Sequence, residues 1–474
     1  MGKSIPNGAF ADLPHRYGEG MKTGFIAALL IGFSAGMAWG HASEQGFVLL
    51  LPTDFYINAG VASVALTIVL IAVLPARTAD LIFASRPLLP RFPGGLRHGA
   101  SLLASVALAY AVWRGFTGPR DPLANPMPLM IWTVWWIGLV SLQGLIGNHW
   151  RYTNPWTGVA ALLSNITGTR APFRYPRALG HWPALALFIA FAAFLLADPA
   201  PADPARLAAF AGLYWYVAFL GLVSFGPAWL VRAEAFTVMM RAYGQMGLFG
   251  PRGRRVGVGL WGWQTVRRNA PPVALATFAL VLLGTGSFDG LNETFFWLSA
   301  LGINPLEFPG RSAVILQTLT GLIAVNAALI AAFAACLWLG ERIAGSGRSL
   351  RQAYCLFAPS ILPIALAYHV AHYLTSFMVD GQYVLKVFND AAGLGQFYVT
   401  TGFFNTPGTV KAIWLSQAGA VVLGHVVAIL LAHALAMRDQ HSTRRAVLGQ
   451  APLAAFMVAY TFFGLWLLAS PRGL

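Results

Sequence analysis

His369, His372, Tyr373, Ser376 and Asp380 recur at helical spacing inside the apolar run ALAYHVAHYLTSFMVDGQ, residues 365–382. A helix turns about 100° per residue, so positions three, four, seven and eleven apart share one face. The intervening Val370, Ala371, Leu374 and Phe377 are apolar, with Thr375 the polar exception. Such a stripe must face protein or a water-filled cavity, because hydrocarbon satisfies neither imidazole nor carboxylate. Imidazole suits zinc and copper, and the thioether of nearby Met378 suits copper(I). The competing reading is hydrogen bonding between helices, worth on average about 0.6 kcal/mol per bond in a membrane.

Further donors lie elsewhere. The next apolar run, 411–437, carries His425 near its middle, His433 toward one end and Gln417 toward the other. Packed against the stripe, it would bring His425 to His369 and His372; either His425 or His433 alone reads as structural. Asp289 and Glu293 stand four apart in GTGSFDGLNETFFW, and His41 precedes Glu44 in GHASEQG. The candidate metal ligands are therefore His369, His372, Asp380, His425, His41, Asp289 and Glu293, with copper or zinc as the expected ion. Haem b is the alternative cofactor, with His372 and His425 as axial ligands. Neither HExxH, a Walker A sequence nor a CxxC pair occurs. Gln317, Thr318, Thr320, Asn326 and the Pro-broken APSILP (358–363) are features a transporter uses, and equally ordinary interhelical polar groups.

The elements that must position these residues follow from composition. The 474 residues are 57% hydrophobic and 10% charged, against about 25% charged in soluble domains. Apolar runs of bilayer-crossing length fall at 21–40, 57–75, 99–117, 128–147, 183–200, 207–231, 271–286, 313–339, 354–378, 411–437 and 453–470. The expected fold is all-α: a polytopic integral membrane helical bundle of about eleven spans, or ten if the first is a cleaved signal peptide. MKTGFIAALLIGFSAGMAWG has the lysine, short apolar core and small residues of such a peptide. Residues 1–40 are thus an extension plus signal peptide or anchor, and 41–474 one transmembrane domain.

Charge sets the expected orientation. Alternate loops, beginning after the second span, hold 21 arginines against four acids, Asp80, Glu234, Glu341 and Asp439. The opposite side holds seven bases and ten acids. The arginine-rich loops are expected to be cytoplasmic, in a bacterial inner membrane, with the C-terminus periplasmic. The same scatter of charge argues against nucleic acid as a partner for a chain of net charge +15. Two arginine-, glycine- and aromatic-rich loop segments, 73–98 and 243–269, suit interfacial hairpins against anionic lipid. Cys336 and Cys355 fall near the face expected to be reducing, which disfavours a disulfide.

Several stretches resemble a bacterial family of multi-pass membrane proteins known as fenitrothion hydrolases. They are NHWRYTNPW (148–156), YPRALGHWPAL (175–185), GTGSFDG (284–290), PIALAYHVAHY (363–373) with DGQ (380–382), AIWLSQAGAVVLGHVVAILLAH (412–433) and MVAYTFFGLWLLAS (457–470). His372, His425 and His433 have counterparts in that resemblance, whereas His369 matches a position that is not histidine. HWRYTNPW departs from the family pattern, which has phenylalanine before NPW. The resemblance implies hydrolysis of organophosphate triesters, with a metal-activated water as the expected nucleophile.

Three functions follow as expectations: binding or moving a metal ion in the cell envelope, metal-dependent hydrolysis within the membrane, and haem-based electron transfer or scaffolding.

Overall fold

The computed structural model of the chain describes residues 47–73, 77–90, 94–168, 170–438 and 443–472. The expected first span and His41 lie outside the described residues. Among those described, nine helices are long and apolar enough to cross a bilayer, and Trp182–Ala197 is a shorter apolar helix. These are α1 (Thr53–Val73), α2 (Gly94–Thr117), α3 (Pro126–Leu145), α4 (Trp182–Ala197), α5 (Pro204–Phe225), α7 (Val273–Leu291), α8 (Ile315–Ala344), α9 (Leu362–Ala392), α10 (Pro407–Met437) and α11 (Thr443–Ala469). A shorter helix, α6 (Ala235–Gly244), packs among them. The chain is a multi-pass membrane helical bundle.

Leu66, Leu103, Leu213 and Leu316 are exposed on the outer helices. That belt suits a hydrocarbon surround, since a soluble monomer rarely shows apolar area on this scale. α7 and α9 are the central helices, α7 buried along most of its length and α9 over its first part, Leu362 to Ala371. α9 runs beyond the expected end at 378 to Ala392, where Gly393 closes it with a left-handed φ of 64°. Its last turns, YVLKVFNDAA, are mixed polar and apolar, which is why hydropathy alone stops short of them.

α9 lies along α10. Their approach depends on Gly424, whose position would put a Cβ 2.3 Å from that of Ala367. Small residues at a crossing let two membrane helices touch backbone to backbone.

The bundle is not wholly helical. The two arginine- and glycine-rich segments meet as a three-stranded antiparallel sheet, ordered β1 (Ser85–Pro90), β3 (Arg255–Gly259), β2 (Phe249–Arg252). Glycine and proline exclude helix here, while Val256 and Val258 suit a strand. The expected hairpin at 243–269 is present as β2–β3, and the other segment adds its strand to it.

α3 is π-helical over Leu129–Leu139. A π stretch shifts carbonyls away from ordinary partners, and such segments occur at functional sites. Two histidine rings donate to carbonyls of this stretch, His369 to Trp136 at 2.9 Å and His149 to Leu139 at 3.0 Å.

Candidate functional site

Asp289 occupies the last turn of α7, within GTGSFDG. Gly290 beside it admits the Tyr368 hydroxyl of α9, which would lie 1.9 Å from any Cβ there. This close seating of α9 on α7 brings His372 Nε2 to 3.3 Å from Asp289 Oδ2. The Tyr373 hydroxyl donates to the same carboxylate oxygen. Both partners of the His372–Asp289 pair are largely shielded, with side chains 8% and 14% exposed.

An ionised carboxylate only accepts, so His372 donates to it from Nε2. Its Nδ1 is buried without a hydrogen-bond partner. Tyr368 stacks on the ring at 5.7 Å and fixes its plane. The arrangement supplies an oriented imidazole able to accept a proton or hold an electrophile, with a carboxylate to stabilise the imidazolium.

The pair separates two spaces. On the far side from the sheet, a cavity of ≈ 390 Å³ is bordered by Asp289, His372, Ser376, Gln417 and Trp414. Glu293 and Arg311 also line it and form an ion pair at 3.9 Å. Arg472 reaches its rim because the C-terminal tail pairs back onto Thr294. Below the pair, a small compartment of ≈ 30 Å³ lies between Asp289, His372, His369, Tyr368 and the apolar side chains Leu282 and Ala365.

The other expected residues are distributed differently. His369 touches the small compartment but spends Nε2 on the Trp136 carbonyl, and its ring meets Trp136 edge-on at 5.1 Å. His425 bonds its own helix through Nδ1 to the Val421 carbonyl at 2.9 Å and faces Tyr460. It borders neither of the two spaces. Asp380 lies two turns beyond His372 on α9 and also borders neither. The seven expected ligands therefore do not form one set: Asp289 and His372 meet, Glu293 lies one turn above, His369 borders the small compartment with its Nε2 committed to Trp136, His425 and Asp380 border neither space, and His41 is outside the described residues. Among the described residues no three His, Cys, Asp or Glu side chains converge to hold a metal ion. Copper or zinc would have His372 and Asp289 as ligands here, fewer than the three or four such sites use. Haem fits no better, because His372 and His425 face different surroundings.

Tyr368, Tyr373's bond to Asp289, Arg311 and Arg472 were not among the expected site residues. Tyr373 was legible in the helical stripe, whereas Arg472 is brought in only by the folded tail.

At the opposite face a third cavity, ≈ 270 Å³, is bordered by Arg241, Arg268, Arg438 and His181. Burial, then the charges of Arg241 and Arg232, push the His181 imidazole below its ordinary value. This cavity reaches Ala279 on α7 and Leu362 on α9.

Neither a protein-family model, nor a curated protein, nor a solved structure matches the chain.

Proposed function

We propose that the protein moves a small polar or charged solute across the bacterial inner membrane, with Asp289, His372 and Tyr373 as a proton-carrying gate. One observation carries this reading: cavities at opposite faces are bordered by the same two central helices. The compartment under the gate ends at Leu282 and Ala365, and the cavity at the arginine-rich face begins at Ala279 and Leu362. Three residues of helix separate them on each wall, about 4.5 Å of apolar packing. A layer that thin can be breached by a small shift of one helix against another. The positive-inside rule sets the arginine-rich loops in the cytoplasm, so the gate opens to the periplasm.

An Asp–His–Tyr chain suits such a gate, since ionisable groups inside membranes commonly relay protons. A metal ion as cargo keeps His372 and Asp289 as its ligands, with Glu293 above them. Arg311 and Arg472 at the same cavity favour a solute that carries negative charge as well.

Sided cysteine labelling tests this without knowing the solute. In a background of Cys336→Ser and Cys355→Ser, Leu282→Cys and Ala365→Cys are expected to react with impermeant maleimide from both faces of oriented vesicles. Reaction from one face only, or from neither, overturns the reading.

Hydrolysis is the second reading, favoured by the His372–Asp289 geometry. A carboxylate-oriented histidine is a general base for water, and Arg311 lines the same cavity to meet a developing phosphoryl charge. Release of nitrophenol from fenitrothion, lost in His372→Ala, would support it. No release by the wild-type protein would rule it out for that substrate.

A further inference from the structure

We infer that the cavity at the arginine-rich face is a binding site for a phosphate-class anion. Its cations come from four separate parts of the chain: His181 before α4, Arg241 on α6, Arg268 in the segment after the sheet, and Arg438 at the end of α10. Among the described residues no aspartate or glutamate borders it. Arg241 and Arg268 have no carboxylate partner among the described residues. They also act on each other: burial, then the Arg268 charge, pushes the Arg241 guanidinium below its ordinary value.

Like charges gathered in a concave, partly desolvated place repel, and that cost calls for a counter-ion. The backbone adds to the same field. α7 starts at Val273 with Pro272 as its cap, and α4 starts at Trp182 after His181. Neither N-terminus is capped by a side chain, and both border the cavity through Pro272 and His181. Each such end carries about half a positive charge and unpaired N–H groups.

The arginines are held for the task. Arg438 donates from Nη1 to the Arg268 carbonyl at 2.8 Å, tying α10 to that segment. Arg241 donates to the Val231 carbonyl at 3.3 Å. Guanidinium forks match the oxygens of phosphate in paired hydrogen bonds, which ammonium does not. Apolar wall residues Val238, Ala276 and Leu362 leave room for the organic part of a phosphate ester. The anion is either the headgroup of an acidic phospholipid or a soluble phosphate species, because the chemistry that recognises them is shared.

This inference stands whether or not a solute crosses the bundle, and its test is separate. Purified full-length protein in an uncharged detergent is titrated calorimetrically with inorganic phosphate. In parallel it is reconstituted into phosphatidylglycerol or phosphatidylcholine nanodiscs, and retained lipid is counted by native mass spectrometry. Arg241→Gln/Arg268→Gln is compared with Arg86→Gln/Arg342→Gln, which removes the same charge from the same face. Saturable phosphate binding, weakened roughly tenfold or more in the first variant and unchanged in the second, supports the site with a soluble anion. Phosphatidylglycerol retained by the wild type and the second variant, and lost from the first, supports it with a lipid. Should the glutamine pair not fold, Arg241→Lys/Arg268→Lys keeps the charge and loses the forks, and an intermediate affinity is expected. Binding of neither probe, or equal binding by both glutamine variants, overturns the inference.

Discussion

His372 Nε2 lies 3.3 Å from Asp289 Oδ2, across the contact of the two central helices α7 and α9. Tyr373, the next residue of α9, donates to the same oxygen. Two residues of one helix thus clasp a single carboxylate of the other, at the floor of the larger cavity.

Removing one member should cost stability unequally. His372→Ala leaves a shielded carboxylate with Tyr373 as its remaining side-chain donor, a loss of about 1–3 kcal/mol. Asp289→Asn keeps an acceptor for both donors and should lose less. Thermal unfolding in detergent ranks the two, and an equal loss would deny the clasp.

His369 should behave as a helix tie. Its Nε2 donates to the Trp136 carbonyl in the π-helical stretch of α3. His369→Gln, which keeps a donor, should preserve site behaviour, while His372→Ala, which removes the donor to Asp289, should abolish it. The measurement is sided labelling of Leu282→Cys in each background. Equal effects of the two substitutions would contradict this division of roles.

Gly290 should be replaceable only with a partner change. Alanine there would place a Cβ 1.9 Å from the Tyr368 hydroxyl, and overpacking costs about 1–3 kcal/mol. Gly290→Ala should lower the melting temperature, and Tyr368→Phe should restore part of it. No restoration would mean that the close approach does not set the α7–α9 distance.

Acid should strengthen anion binding at the arginine-rich cavity. The folded His181 imidazole holds its proton less tightly than an ordinary imidazole, for burial first and then for Arg241 and Arg232. A depressed histidine binds fewer protons than its unfolded counterpart, so stability falls as pH drops through the ordinary histidine range. A bound anion favours imidazolium, so sulfate, whose charge is constant there, should bind more tightly as pH falls. In His181→Gln the pH dependence of sulfate binding should flatten, and an unaltered slope would exclude His181 from the site.

The bundle was legible because membrane spans announce themselves by length and apolar content. All ten expected spans within the described residues correspond to helices, and α9 does lie on α10. The site was legible only in part. The stripe through His369, His372 and Tyr373 follows from helical spacing, and Asp289 was marked by its loop, but no sequence rule couples residue 289 to residue 372. That coupling depends on the narrow Gly290 seat. His425 was expected beside His372 because it lies near the middle of α10, yet its ring turns to the Val421 carbonyl and Tyr460. Rotation about a helix axis is set by packing on every side, which one sequence does not reveal. The third strand of the sheet escaped for a different reason: β1 is short, and it pairs with β3 across more than 160 residues.

The most direct measurement is the rate at which external maleimide reaches Leu282→Cys, with His372 intact and as His372→Ala. Ser376→Cys, in the open cavity, serves as the reference. If the Asp289–His372–Tyr373 clasp is the gate, its loss should speed labelling at 282 by roughly tenfold, the equivalent of one net hydrogen bond, and leave 376 unchanged. An unchanged rate at 282 would mean that the pair guards no passage.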